Sequence, residues 1–128
     1  MNSQFSLRDQ PLIGFVATRD PARAKQFYGD TLGLPLLIDQ LPFALVFDAH
    51  GTILRVTAVT ELFLAPYTVL GWHVPDIAAA VVALQDAGVQ FERYPGLEQD
   101  ELGIWTIPGA KVAWFKDPDG NTLSISQH

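Results

Sequence analysis

Trp114-Phe-Lys-Asp-Pro-Asp-Gly-Asn-Thr-Leu-Ser-Ile-Ser126 is the stretch from which the fold can be read. At its centre, Asp117-Pro118-Asp119-Gly120 predicts a tight turn. Proline presets φ for the first bend, aspartate tolerates the second, and glycine takes positive φ without steric penalty. Beyond the turn, Leu123 and Ile125 alternate with Thr122, Ser124 and Ser126, the period-two pattern of a strand with one apolar and one polar face. Such a hairpin belongs to a half-buried sheet, and its polar face is where function is expected.

Upstream, the same kind of unit occurs twice. Leu12 to Thr18 predicts a strand, and Asp20-Pro21 predicts a helix start with Asp20 as N-cap. Ala24, Phe27, Tyr28 and Leu32 then recur at helical spacing, with Gly33 just past the end. Leu34 to Asp39, Phe43 to Asp48 and Thr52 to Val59 follow as three strands. The pattern restarts with a strand at Thr68 to Val74 and a helix capped by Asp76, whose apolar stripe is Ile77, Ala80, Val81 and Leu84 and whose end is Gly88. A strand at Gln90 to Tyr94 and the opening hairpin complete the second set.

Asp20 and Asp76 stand 56 residues apart, Gly33 and Gly88 55, but Gly51 and Gly120 69. The second module therefore carries about 14 extra residues, placed at 95–108. A connection of that length fits a lid over a binding site or a plain surface loop. The expected fold class is α+β, two βαβββ modules forming curled mixed sheets around a cavity. A single domain spans 1–128, with module one at about 11–60 and module two at about 67–127. Neither half can bury its sheet alone, so the halves, or their copies in a second chain, must pack together. The face of each sheet opposite its helix then lines a hollow.

At 128 residues the chain is long enough for a core that needs no metal or disulfide staple. It has no cysteine, which fits a reducing compartment. No secretory h-region opens the chain, and Ile77 to Leu84, its longest apolar run, is too short to span a bilayer. A cytoplasmic protein with no membrane partner is expected. The net charge of −6 and the lack of any Lys/Arg cluster argue against nucleic acid. Dinucleotide, phosphate-loop and serine-elbow motifs are missing.

The segments Asp20-Pro-Ala-Arg-Ala-Lys-Gln-Phe-Tyr28 with Leu32-Gly-Leu34, Gly71-Trp-His-Val-Pro-Asp76 and Phe115-Lys-Asp-Pro-Asp-Gly-Asn121 together resemble the vicinal oxygen chelate superfamily. That group contains glyoxalase I, extradiol dioxygenases, fosfomycin-resistance thiol transferases and bleomycin-resistance proteins. The resemblance runs from about Pro11 to Gln127. It implies the fold, but the fold hosts several chemistries. Carried over by position, the ligands of metal-using members fall on Ile13, Arg55, Val69 and Ser124. Isoleucine and valine cannot ligate, arginine repels a cation, and neutral serine is a poor donor beside imidazole or carboxylate. No metal and no cofactor are expected.

Helix-opposed parity assigns Phe15 and Ala17, Phe43, Leu45 and Phe47, and Ile53, Arg55 and Thr57 to the hollow. From the second module it assigns Gly71 and His73, Trp114 and Lys116, and Thr122, Ser124 and Ser126. An aromatic wall with a few polar points is the usual make-up of a small-molecule site. Arg55 can hold a ligand anion or pair internally with Asp48 or an acid at 98–101. His73 can act as acid, base or hydrogen-bond donor, or simply sit in the wall. The resemblance gives Trp114 a position that contacts substrate in the thiol transferases, where its ring can stack on a planar ligand or a cation. Trp72 is expected beneath its helix, and Trp105 closes over the hollow if 95–108 is a lid. Glu98, Asp100 and Glu101 read as a solvated face or as a contact for a basic ligand or a metal, and His50 and His128 as surface residues.

Two functions compete. One is a metal-independent binding protein of the glyoxalase/bleomycin-resistance type, holding an aromatic or amphipathic small molecule with Phe15, Phe47, Arg55, Thr57, His73, Trp105, Trp114, Lys116 and Ser124. The other is a lyase, isomerase or dioxygenase relative with a non-standard site. A homodimer is the expected assembly, and the sequence leaves open whether the modules meet within one chain or across it.

Overall fold

The computed structural model describes residues 4–128, so the first three positions of the expected domain lie outside it. The first module runs β1 (Ile13–Thr18), α1 (Pro21–Lys25), β2 (Leu36–Gln40), β3 (Ala44–Ala49) and β4 (Thr52–Ala58). The second runs β5 (Leu70–His73), α2 (Ile77–Asp86), β6 (Trp105–Ile107), β7 (Ala110–Lys116) and β8 (Thr122–Gln127). Each module forms one mixed four-stranded sheet, ordered β1-β4-β3-β2 and β5-β8-β7-β6. The first and last strands of each module pair in parallel across the helical crossover, and the rest pair antiparallel. Neither sheet closes on itself, and the α+β duplication is as the spacing predicts.

The two helix starts repeat the same device. Asp20 Oδ1 accepts from the Arg23 backbone N–H at 3.2 Å, and Asp76 Oδ1 accepts from that of Ala79 at 3.1 Å, each satisfying one orphan donor of the first turn. The helices then differ. α2 stays regular and buries Ile77 and Val81. Past α1 the backbone widens to π geometry over Gln26–Thr31, closing with Leu32 N–H to Phe27 C=O at 2.8 Å. Ala24 and Tyr28 are buried there, with Phe27 and Leu32 packed against the same core.

Register fixes which side chains share a face, because residues paired across strands point the same way. In the first sheet, Val16, Leu54, Val56, Leu45 and Phe47 form the helix side and are buried. Phe47 packs on the Tyr28 ring at 6.1 Å. The expected place of Leu45 and Phe47 in the hollow is therefore corrected. β3 is out of phase by one residue, and Ala44 and Val46 share the open face with Arg55 and Thr57. Phe43 precedes β3 and is exposed, in a connection that carries a cis Leu41–Pro42 bond. In the second sheet, Leu123, Ile125, Ala113 and Phe115 are buried on the helix side, with Trp72 in register with Ile125.

A second correction concerns 90–94. It contributes only the Phe91–Phe115 bridge and a bond from Glu92 N–H to Trp114 C=O at 2.8 Å. The fourth strand of the second sheet is β6, drawn from the stretch read as an insertion. Trp105 and Ile107 alternate with Thr106 and pair with Val112 and Ala110, so the extra residues precede the strand. They form a pinned turn: Gln99 Nε2 donates to Glu92 C=O and Gly103 C=O, and Asp100 Oδ1 accepts from Leu102 and Ile104 N–H, all at 2.8–2.9 Å.

The modules meet within the chain. The buried Asp117 carboxylate accepts from Tyr28 Oη at 2.7 Å and Asn121 Nδ2 at 2.8 Å, and from the backbone N–H groups of Asp119 and Asn121. Asn121 Nδ2 also reaches Ala17 C=O at 3.0 Å, and Asp119 accepts from Thr18 Oγ1 and from Arg19 N–H. The Asp-Pro-Asp-Gly turn, with Gly120 at φ 97°, thus clamps the second module to the end of β1 and to the first helix. Burial, with the Asp117 charge alongside, drives the Tyr28 phenol far above its ordinary pKa, so it stays a donor.

Candidate functional site

The open face of the second sheet is built in rows. Trp114, Ser124 and Gly71 stand across from one another, with Lys116 and Thr122 on one side and His73, Ser126, Val112 and Trp105 on the other. Gly71 leaves room in the middle row for the Ser124 hydroxyl, since a Cβ there would lie 2.8 Å from Ser124 Oγ and turn it aside. Over the Lys116–Thr122 row passes the connection between the modules. Leu64, Ala65, Pro66, Tyr67 and Thr68 face Trp114, Lys116 and Thr122 across an open cavity of about 520 Å³, with Tyr94 completing the wall.

Three aromatic rings support its floor. Tyr94 meets Trp114 edge-on with centroids 5.5 Å apart, and Trp105 lies tilted at 5.9 Å on the same ring. Such contacts hold an aromatic platform in one orientation. Burial, then the nearby Glu92 charge, raises the Tyr94 pKa, so this phenol also keeps its proton. Lys116 Nζ lies 3.8 Å from Glu92 Oε1 with both side chains partly exposed, a loose pair rather than a hydrogen bond.

Of the residues the sequence singled out, Trp114 and Lys116 line this cavity, and Trp105 supports it from the next row. Ser124 stands beside Trp114 in the same row, and His73 lies one row further along this face. His73 meets the ring of His128 at 5.1 Å, so His128 has a neighbour that sequence spacing did not reveal. Phe15, Arg55 and Thr57 stand together on the open face of the other sheet. Arg55 has neither expected acid as partner. Its Nη2 donates to Gln40 Oε1 at 3.3 Å, while Asp48 accepts from Gly51 N–H within its own turn. Phe47 is under the first helix. Asp100 is spent on turn hydrogen bonds, and its carbonyl and that of Glu101 accept from Arg93 Nη2 at 2.7 and 2.8 Å. Missed altogether were Leu64 to Thr68 and Tyr94, because an irregular linker has no period to read.

The four positions implied for a metal hold Ile13, Arg55, Val69 and Ser124, a donor set that does not fit a divalent ion. Among the described residues no group of three His, Cys, Asp or Glu side chains could hold one. No helix is long and apolar enough to cross a membrane.

The family model described as Glyoxalase/Bleomycin resistance protein/Dioxygenase superfamily matches residues 12–125. No curated protein matches the chain. Among solved structures, a Bacillus anthracis protein assigned provisionally to the glyoxalase family superposes with a TM-score of 0.73 at 15% identity, covering 100% of this chain and 99% of that one. Lactoylglutathione lyase from Agrobacterium tumefaciens gives 0.66 at 13% identity, with 93% of each chain covered. TioX from Micromonospora sp. ML1 gives 0.67 at 20%, covering 93% of this chain and 98% of that one. At these identities the likeness is one of fold.

Proposed function

Since the chain belongs to the Glyoxalase/Bleomycin resistance protein/Dioxygenase superfamily, we propose that it is a metal-independent small-molecule binding protein that holds an aromatic or amphipathic ligand on the open face of its second sheet. The observation that carries this reading is the cavity of about 520 Å³ floored by Trp114 and roofed by the inter-module linker. Its volume falls in the range of small-molecule sites, and its lining mixes aromatic surface with a few polar groups. His73 and Ser124, on the same face, are available to the far end of a longer ligand.

We place a second copy of the chain over the open face of the first sheet. Phe15, Ile38 and Ile13 are 62%, 50% and 48% exposed there, around Arg55. An apolar face of this kind marks an interaction surface, and a homodimer would bring Phe15, Arg55 and Thr57 into an enclosed site.

Calorimetric titration of a panel of planar aromatic metabolites and basic antibiotics against the wild type and Trp114→Ala tests the ligand reading. Binding that is lost in the variant is the expected result, and silence across the panel counts against it. Metal analysis of the purified protein tests the rest. Stoichiometric nickel, zinc or iron would favour the lyase, isomerase or dioxygenase alternative.

A further inference from the structure

We infer that the cavity over Trp114 selects a planar aromatic carboxylate, with Lys116 gripping the carboxylate while the ring lies on Trp114; this rests on the ligand reading above. Lys116 is the one charged side chain among the cavity's lining residues, and no aspartate or glutamate lines it. The polar groups beside it are the indole of Trp114, the phenols of Tyr67 and Tyr94 and the hydroxyls of Thr68 and Thr122. The indole can only donate and the others are able to. Tyr94 keeps its proton because burial raises its pKa. Such a wall suits a ligand that places an anionic acceptor beside Lys116, and with no carboxylate among its lining residues it offers an ammonium group no ion-pair partner.

The spacing agrees with the chemistry. Trp114 and Lys116 project from the same face of β7 two residues apart, about 6–7 Å along the strand. The flexible lysine stem can therefore reach a carboxylate carried by a ring that lies on Trp114. The Lys116 ammonium is also available. Its separation of 3.8 Å from Glu92 Oε1 leaves no hydrogen bond between them. Glu92 itself is tethered by its backbone, N–H to Trp114 C=O at 2.8 Å and C=O from Gln99 Nε2 at 2.9 Å. It therefore acts as a fixed rival for the lysine, which an incoming carboxylate must outcompete.

The test uses three probes that share one ring system: naphthalene-2-carboxylate, 2-naphthamide and naphthalen-2-ylmethylamine, titrated calorimetrically into the intact chain. The carboxylate is expected to bind about ten-fold more tightly than the amide, as a charge-assisted contact allows, and the amine more weakly than either. In Lys116→Met the carboxylate-to-amide ratio falls to near unity, and in Glu92→Gln it rises by a few-fold. Thermal unfolding of both variants checks that they are folded. Equal binding of carboxylate and amide to the wild type, a preference that persists in Lys116→Met, or a preference for the amine each overturns the inference while leaving a ligand site at Trp114. Failure of all three probes to bind overturns the site as well.

Discussion

The two open sheet faces share one strand order and differ in what lies over them. The first sheet presents Ile13, Phe15 and Ile38, each about half exposed or more among the described residues, around Arg55. The second is overhung by 64–68, walled by Tyr94 and braced by Trp105. Shared topology therefore does not give shared function. The cavity arises where the inter-module linker and Tyr94 close over a floor supplied by β7 and β8. What the repeat supplies is a rigid floor at a fixed angle, joined through the Asp117 cluster.

That contrast holds only if both sheets are held as one unit, so the largest effect is expected at the joint. Asp117→Ala strands the buried Tyr28 hydroxyl and two backbone donors, and leaves the Asn121 amide only its bond to Ala17 C=O. With each orphaned group costing about 1–3 kcal/mol, a loss of about 3–5 kcal/mol is expected in urea unfolding. The titration of Tyr28 adds a pH test. Its pKa is raised in the folded state, so its contribution to stability is complete below the unfolded phenol's value of about 10 and is lost as pH rises above it. Tyr28→Phe should remove that part of the alkaline fall. If Asp117→Ala were neutral, or the transition split into two, the modules would be separate bodies and the comparison would lose its frame.

How much of this was legible follows from what has a period. The duplicated Asp caps, the Asp-Pro-Asp-Gly turn and the face of β8 were readable because local spacing determines them. On β4 and β7, alternation alone assigns Arg55, Trp114 and Lys116 to the face opposite the buried residues, and the strand register has the same parity. Alternation failed on β3, where Ala44, Leu45, Val46 and Phe47 are all apolar and all buried. A continuous apolar run carries no phase, so only pairing with β4 decides it. β6 was missed because Trp105-Thr-Ile107 is three residues long and follows a turn held by the side chains of Gln99 and Asp100. The cavity roof was invisible for the same reason. Leu64 and Tyr67 reach the site through tertiary path, not pattern.

The next largest effect separates the two faces directly. Phe15→Asp puts a charge on the uncovered face of the first sheet, where the side chain is mostly solvent-exposed. Unfolding of the isolated chain should move by no more than about 0.5 kcal/mol. A homodimer seated on that face should weaken by at least about 100-fold, as burial of an unpaired charge at an interface implies, and light scattering would record the monomer. A dimer that survives Phe15→Asp has its interface elsewhere, and the bareness of the first sheet would then need another cause.

Smaller but sharper is a paired glycine experiment. Gly51 and Gly120 occupy equivalent hairpin turns with φ of 94° and 97°, so alanine at either meets the same backbone strain of about 1 kcal/mol or more. Only at Gly120 is there an obstacle: a Cβ would lie 3.0 Å from Leu64 Cδ1, whereas nothing lies within 4 Å at Gly51. Gly120→Ala should therefore destabilise by about 1 kcal/mol more than Gly51→Ala and, by pushing Leu64, should weaken cavity ligands that Gly51→Ala leaves alone. Equal costs in thermal unfolding would mean that the linker yields freely and forms no fixed roof.

The smallest expected effect lies beside those glycines. His50 is the non-glycine residue with positive φ, at 54°, in the first turn. A left-handed backbone disfavours a residue of that shape, and asparagine tolerates it better. His50→Asn should therefore raise stability by a few tenths to about 1 kcal/mol. The equivalent residue of the second turn is Asp119, whose two carboxylate oxygens are taken by Thr18 Oγ1 and Arg19 N–H. Asparagine there replaces one acceptor with a donor, so Asp119→Asn should cost about 1 kcal/mol. Opposite signs from the same change at matched positions would follow from one turn having become a joint while the other stayed a loop. An Asp119→Asn variant that is neutral or stabilised in denaturant titrations would mean that the clamp on β1 does not depend on Asp119, leaving Asp117 and Asn121 to hold the two sheets together.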